Sequence, residues 1–120
     1  MNNKEFKNNF KKRLYVNILN LLNCLKTYDW RDPVVKIIKN QLIRSSTSVG
    51  ANYFEAIAGS SKNDFKKFIY YSLKSANETQ YWIILLRDFR AEADKLEEFL
   101  REFQEISNIL GASLKTMNNS

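Results

Sequence analysis

Four polar residues near the middle of the chain are spaced so that they share one side of a helix. They are Arg44, Ser48, Asn52 and Glu55, at intervals of four, four and three residues. Residues at such intervals are neighbours on a helix surface. A further carboxylate, Glu78, follows in the next segment of the chain. Positioned carboxylates act as general acids and bases, so Glu55 and Glu78 form the best candidate pair for catalysis.

The remaining composition argues against catalysis. The sequence contains 0 His, so the commonest general base and metal ligand is absent. The single cysteine, Cys24, cannot form an internal disulfide or a cysteine-based metal site. The sequence also lacks a glycine-rich phosphate loop. We therefore expect a non-enzymatic protein that needs no metal and no other cofactor.

The polar row is better explained as structure than as chemistry. The small side chains of Ser45, Ser48 and Ala51 allow a second helix to approach closely, and buried polar groups need hydrogen-bond partners. We therefore predict a polar network that fixes the register of packed helices. Its members are Arg44, Ser48, Asn52, Glu55 and Glu78. The functional alternative is a polar site at the protein surface or between copies of the chain.

The elements that position these residues are helices. The sequence contains only 3 Gly and 1 Pro, whereas sheets need frequent turns built from such residues. Apolar residues recur at intervals of three and four, the pattern of amphipathic helices. Asp32 suits a helix N-cap, and Pro33 suits the first helical position after it. The predicted helices cover residues 3–28, 33–58 and 61–89, and a fourth follows a joint near residues 90–94.

Short joints between helices force antiparallel neighbours. We therefore predict an all-α, antiparallel up-down-up-down four-helix bundle that occupies residues 1–120 as one domain. Gly59 should end the second helix in the left-handed conformation, and Ser61 with Asp64 resembles a capping box for the third. Phe6, Val34 and Ile37 should belong to the inward faces of their helices.

Six consecutive apolar residues, 81–86, are hard to hide in a single bundle. Because six residues in a row point in every direction around a helix, some of them must face outward. Exposed apolar patches usually mark interfaces, so we expect a homo-oligomer. The residues expected at its interface are Tyr81, Trp82, Ile84 and Leu85. Alternatively, lysine and arginine stems or a chain terminus cover the patch.

Charge is distributed unevenly along the chain. Residues 1–44 carry 10 Lys/Arg and 3 Asp/Glu, whereas residues 91–120 carry 3 and 6. The basic half can attract nucleic acid, or it can complement the acidic helix within the fold. The N-terminus lacks the apolar core of a signal peptide, and no apolar run is long enough to cross a bilayer. We therefore expect a cytoplasmic protein with no membrane association.

Several short motifs occur in a characteristic order over about two-thirds of the chain. They are Pro33, Gln41-Leu42-Ile43-Arg44-Ser45-Ser46, Ser48-Val49-x-Ala51-Asn52, Glu55-Ala56, Ser61-Lys62-Asn63-Asp64-Phe65 and Ser75-x-x-Glu78. Their order and spacing resemble the small bacterial four-helix-bundle proteins, also called 23S rRNA intervening-sequence proteins. The family tends to have Asn-Ile-Ala-Glu-Gly where this chain has Asn52-Tyr53-Phe54-Glu55-Ala56, with two bulkier side chains.

The resemblance implies a bundle that assembles as a homopentamer. Such proteins are similar to the accessory variability determinant of diversity-generating retroelements, a basic pentamer that binds nucleic acid and a reverse transcriptase. The implied partners are further copies of the chain, RNA or DNA, and a reverse transcriptase or ribonucleoprotein. The implied nucleic-acid contacts are Lys7, Lys11, Lys12, Arg13, Lys36, Lys39 and Arg44. The alternative function is a protein-interaction scaffold that does not bind nucleic acid.

Overall fold

The chain folds as a bundle of long helices in a computed structural model, which describes residues 3–29, 31–59, 61–90 and 93–118, without the side chains of residues 93–94. Four helices occupy these residues: α1 (Asn3–Leu25), α2 (Pro33–Ala58), α3 (Lys62–Arg90) and α4 (Ala93–Asn118). Each helix packs against the next along the chain, and α4 returns to α1. The predicted all-α, up-down-up-down four-helix bundle is therefore confirmed.

The boundaries of α2 follow from local chemistry. The Asp32 carboxylate accepts hydrogen bonds from the backbone N–H groups of Val34 at 2.9 Å and Val35 at 3.3 Å. Pro33 occupies the first turn, where its missing N–H has no partner to lose. The predicted N-cap is thus confirmed. The preceding helix ends at Leu25, three residues before the predicted position, and Tyr28 lies in the turn that follows it.

The joint between α2 and α3 differs from its prediction. Gly59 has φ −64° and ψ 147°, an extended conformation, so the predicted left-handed cap is wrong. A Cβ atom at this position would lie 3.3 Å from both the Ala56 carbonyl oxygen and the Asp64 Cβ, so glycine provides space there. The Ser61 hydroxyl accepts the Asp64 N–H at 3.0 Å, which is the first half of the predicted capping box. Residues 60 and 91–92, which belong to the predicted joints, lie outside the described residues.

Side chains from all four helices form the core. Leu14, Leu42, Ile83 and Phe103 are each fully enclosed, one from each helix. Tyr53 of α2 meets Phe10 of α1 edge-to-face, with 5.0 Å between ring centroids, and burial raises the pKa of its hydroxyl to about 12. The core therefore extends to the end of the bundle where α1 begins and α2 ends.

The inward face of α2 differs from the predicted one in its first turns, whereas later positions of that face, such as Leu42 and Ala56, are buried as expected. Val35 and Ile38 are buried, whereas Val34 and Ile37 are exposed. Two adjacent apolar pairs offer the helix two faces about 100° apart, and packing against α1 and α3 selects one of them. Phe6 of α1 is also exposed rather than inward. The predictions for Phe6, Val34 and Ile37 were therefore wrong.

Small residues let α2 and α3 pack closely. Ser45 on α2 and Ser72, Ala76 and Thr79 on α3 are all fully buried. The Thr79 hydroxyl lies 3.0 Å from that of Ser45, and the Ser72 hydroxyl donates to the Val49 carbonyl oxygen at 2.8 Å. No buried side-chain polar atom lacks a hydrogen-bond partner within the part of the chain that the structure describes. Short hydroxyl side chains therefore hold this interface in register.

Candidate nucleic-acid interface

Three predicted lysine contacts lie together on the first turns of α1. Lys7, Lys11 and Lys12 are spaced by four and one residues, so they share one side of the helix. The up-down-up-down topology brings the start of α3 to the same end of the bundle. The Lys7 Nζ accordingly lies 4.3 Å from the centre of the Phe65 ring. The first turns of α3 add Lys66 and Lys67 to this end. The fold therefore concentrates cations from two segments that are distant in sequence.

Two of these α1 lysines, Lys7 and Lys11, rest on aromatic rings. The Lys11 Nζ lies 4.4 Å from the centre of the Phe54 ring, and Lys7 has the same relation to Phe65. A ring face attracts an ammonium group without neutralising its charge. Within residues 3–29, 31–59, 61–90 and 93–118, none of Lys7, Lys11 and Lys12 forms an ion pair. Their positive charge therefore remains available at the surface.

Arg13 points to a different neighbour. Its guanidinium contacts Glu102 of α4 at 2.6 Å and Glu105 at 3.0 Å. The hydrogen bond that Arg13 donates to Glu102 is the main reason that the pKa of Arg13 is raised above its ordinary value. The Asn17 amide donates to the same Glu102 carboxylate at 2.9 Å. At Arg13, the basic first helix therefore pairs with the acidic last helix. Charge complementarity within the fold was the alternative to nucleic-acid binding for the basic half of the chain.

Lys36 and Lys39 lie away from the α1 lysines. Lys36 is exposed near the start of α2, about 27 Å along the helix from Phe54 at 1.5 Å per residue. Lys39 is completely buried, and its Nζ donates to the Tyr28 carbonyl oxygen at 3.4 Å. Burial lowers the pKa of this ammonium group below its ordinary value. A surface contact between Lys39 and nucleic acid does not agree with this position, so we remove Lys39 from the contact set.

The predicted polar row divides into separate parts. Arg44 forms an ion pair with Glu78 of α3, and the same carboxylate accepts the Trp82 indole N–H at 2.8 Å. The Asn52 amide instead donates to the Ser48 carbonyl oxygen of its own helix at 2.9 Å. Glu55 is exposed. The residues that register α2 against α3 are therefore mainly buried hydroxyl groups, which the spacing argument did not include in the network.

The candidate acid–base pair does not form one site. Glu78 contacts Arg44, and Glu55 lies eleven residues further along α2, about 16 Å at 1.5 Å per residue. Carboxylate pairs that act together on one bond lie within about 10 Å of each other. Among the described residues, no three acidic or cysteine side chains come together as metal ligands. None of the helices in these residues combines the length and apolarity needed to span a membrane.

The core covers only part of the apolar run at residues 81–86. Ile83 and Leu86 are fully buried, whereas Tyr81 is 57% exposed and Ile84 37%. Trp82 and Leu85 are half-buried and pack against the core from outside. The outward orientation of part of this run is therefore as expected, and its role as an interface between copies stays a prediction.

Sequence reasoning missed an aromatic surface beside the α1 lysines. Tyr15 is 59% exposed and Phe54 39% exposed, and the two rings border one groove with Lys11 and Lys12. One signal was present in the sequence, because Tyr15 falls three residues after Lys12 and outside the apolar stripe of α1. The approach of Phe54 from α2 depends on tertiary packing and has no local signal.

The geometry defines a small all-α bundle with one cationic end. The chain belongs to the 23S rRNA-intervening sequence protein family, whose sequence profile matches residues 19–112. It is also similar to a crystal structure from Bacteroides thetaiotaomicron, a protein of unknown function from the S23 ribosomal protein family. The two are 30% identical with a TM-score of 0.79, over 91% of this chain and 97% of the other. A comparison with curated proteins finds no match. The family resemblance is thus confirmed, and the relation to retroelement accessory proteins stays a prediction.

Proposed function

We propose that this protein is a non-enzymatic, homo-oligomeric accessory protein that binds RNA or DNA through the cationic end of its bundle. The observation that carries the proposal is the cluster of Lys7, Lys11 and Lys12, which forms no ion pair within the described part of the chain. Lys66 adds a cation at the same end, and Lys67 also lies there, paired with Asp64 at 3.9 Å. Lysine ammonium groups hold phosphates without reading the base sequence, so the expected binding has little sequence preference.

The distribution of acidic residues supports this assignment. The α4 carboxylates that approach other helices are occupied by arginines: Glu102 and Glu105 by Arg13, and Glu97 by Arg87. These pairs lie along the α4 side of the bundle, away from the Lys11–Phe54 contact between α1 and α2. Within the described part of the chain, the charges of Lys7, Lys11 and Lys12 are therefore not neutralised by carboxylates as those of Arg13 and Arg87 are.

The oligomer and its partners are part of the same proposal. Tyr81 and Ile84 leave apolar surface on α3, which a second copy would cover, with a pentamer as the expected assembly. The family name refers to intervening sequences of 23S rRNA, which makes RNA the first probe to test. A reverse transcriptase or a ribonucleoprotein is the proposed partner, and the cationic end would contact the nucleic acid that they share.

The proposal predicts strongly salt-dependent binding. Fluorescence anisotropy with a labelled RNA or DNA strand should show an affinity that falls steeply as salt rises, because each phosphate contact releases counterions. Replacing Lys7, Lys11 and Lys12 with Glu should weaken binding to both nucleic acids and flatten the salt slope by about one unit for each lost contact.

The matched control reverses cations elsewhere on the molecule. Lys95→Glu with Arg101→Glu alters two exposed cations of α4 and should leave the salt slope unchanged. Binding that does not respond to salt, or an equal loss in both variants, would refute the proposed surface. Light scattering on each variant confirms that the oligomeric state is the same.

A protein-interaction scaffold is the second candidate function. The exposed Tyr81 and Ile84 favour it, because apolar surface on α3 fits a protein partner better than a phosphate backbone. The same experiment separates the two functions. An intact oligomer that binds neither RNA nor DNA at low salt would favour the scaffold.

A further inference from the structure

An open groove lies on the outer surface of the bundle between α1 and α2. Its volume is about 470 Å³, within the range of small-ligand sites. Six residues line it: Asn8, Lys11, Lys12, Tyr15, Val16 and Phe54. It therefore combines two aromatic rings, two ammonium groups and one amide in a single concave surface.

The helix geometry explains why these groups meet. Asn8, Lys11, Lys12 and Tyr15 lie at intervals of three, one and three residues, so α1 presents them on one side. The Phe54 ring completes the groove from α2, with the Lys11 Nζ 4.4 Å from its centre. Further along the same pair of helices, the Ile18 side chain packs against the Gly50 backbone, where an added Cβ would lie 2.9 Å from the Ile18 Cδ1. The groove is therefore fixed by two packed helices and not by a loop.

The fold leaves much of both rings exposed, with the Lys11 ammonium group over one face of Phe54. Tyr53, the neighbour of Phe54 on α2, is buried against Phe10, whereas Phe54 and Tyr15 keep large exposed fractions. An exposed ring beside a cation is a stacking surface for a nucleobase, because every base has a flat face. A duplex stacks its bases on one another, so only an unpaired base can use such a surface. The adjacent lysines fit the phosphates that accompany the base.

From this geometry we infer that the groove binds an unpaired base of single-stranded RNA or DNA. Tyr15 and Phe54 stack on the base, Lys11 and Lys12 hold the flanking phosphates, and the Asn8 amide reaches the base edge. The inference rests on the proposed nucleic-acid function and deepens it, because phosphate contacts alone do not distinguish single strands from duplexes.

A second copy of the chain is the competing occupant. Tyr15 and Phe54 also border an uncharged depression of about 410 Å³ towards Leu19 and Ala51. A copy seated there would cover both rings. The lysines and the asparagine lie on the other side of the rings, and their charge complements a phosphate backbone. The charged side of the groove therefore favours the nucleic acid.

The test replaces the rings and keeps their apolar character. Tyr15→Leu, Phe54→Leu and the double variant should fold, because both side chains are exposed. The probes are labelled oligouridylate, oligothymidylate and a DNA duplex, each about 20 nucleotides long, since single-strand sites span several nucleotides. We expect the wild-type protein to bind the single strands more tightly than the duplex at equal salt. The double variant should lose about 10-fold or more in single-strand affinity, with duplex affinity and the salt slope unchanged.

The matched control is Phe89→Leu, which removes an exposed ring at the opposite end of α3 and should change nothing. Equal loss for the two single strands assigns the groove to the pyrimidine ring and phosphates that RNA and DNA share. Loss for oligouridylate alone assigns it to RNA, and loss for oligothymidylate alone assigns it to DNA. Salt-dependent binding that does not distinguish strands from duplex, and that the leucine variants leave intact, would overturn the inference and leave the proposed function standing. Absence of any binding overturns both. A change in molecular mass in the leucine variants assigns the rings to a contact between copies and also overturns the inference.

Discussion

The two sides of α2 pack in opposite ways. Towards α3, small side chains such as Ser45, Ala76 and Thr79 are completely buried, and the Thr79 hydroxyl bonds to that of Ser45 across the interface. Towards α1, large side chains such as Tyr15 and Phe54 stand out into solvent on either side of a groove. Side-chain size therefore decides where the bundle closes and where it leaves an open surface.

The comparison separates stability from binding. A closed interface resists both cavities and added volume, because protein interiors are packed at crystal-like density. An open groove tolerates changes in volume, because an added group extends into solvent. The α2–α3 side should thus determine the free energy of unfolding, and the α1–α2 side should determine what the protein binds.

Exchanging alanine for leucine at the α2–α3 interface and at the α1–α2 surface should change the free energy of unfolding by very different amounts. Ala76→Leu adds volume to the closed α2–α3 interface and should lower the free energy of unfolding by about 3 kcal/mol, because overpacking strains the helices. Ala51→Leu places the same side chain in the uncharged depression between α1 and α2 and should change the free energy by less than about 0.5 kcal/mol. Urea denaturation of both variants measures the difference.

The Ala51 variant is the control for helix propensity, because both changes exchange alanine for leucine within a helix. Similar losses in the two variants would mean that the depression between α1 and α2 is as tightly packed as the α2–α3 interface. Unaltered stability in Ala76→Leu would mean that α3 moves away from α2 without penalty.

Local chemistry made the helices predictable. Asp32 and Pro33 fix the start of α2 through bonds between near neighbours, which a sequence shows directly. The side of each helix that faces the core was less predictable. Val34 and Val35 are equally apolar, and only contact with neighbouring helices decides which of them enters the core. Gly59 illustrates the same limit, because the space that it leaves depends on Asp64 across the joint.

The candidate site was predictable only in part. The spacing of Lys7, Lys11 and Lys12 placed them together from the sequence alone. The fate of Lys39 was not predictable, because lysines are almost never completely buried. Phe54 needed the fold as well, since nothing in the sequence of α2 says that Lys11 lies against its ring.

Lys39 is the buried cation near the α1–α2 joint, so its replacement tests how tightly that joint is closed. Lys39→Met keeps most of the side-chain volume and removes a charge that must leave water. We expect the free energy of unfolding at neutral pH to rise by about 1 kcal/mol, although the bond to the Tyr28 carbonyl is lost. Thermal melting of the two proteins measures the gain.

The pH dependence of that gain has a definite sign. Burial lowers the pKa of Lys39 in the folded protein, and the unfolded chain keeps the ordinary value of 10.5. Between these two pKa values the unfolded chain binds more protons, so the wild-type protein gains stability as pH rises. The advantage of Lys39→Met should therefore shrink by about pH 10 relative to neutral pH. An advantage that grows with pH would contradict the burial of a charged Lys39.

The smallest effects compare two helical glycines. A methyl group added at Gly111 of α4 meets no atom within 4 Å, so Gly111→Ala should raise the free energy of unfolding by about 0.8 kcal/mol through helix propensity. A methyl group at Gly50 meets the Ile18 Cδ1 at 2.9 Å, so Gly50→Ala requires that side chain to move. Ile18 also borders the open depression and can turn into it, so the variant should still gain a smaller amount, about 0.3 kcal/mol. Denaturation curves of both variants measure the two gains in the free energy of unfolding. The difference between them is the cost of moving Ile18 away from the added methyl group. A net loss in Gly50→Ala of about 1 kcal/mol or more would show that α1 and α2 are locked as firmly as α2 and α3.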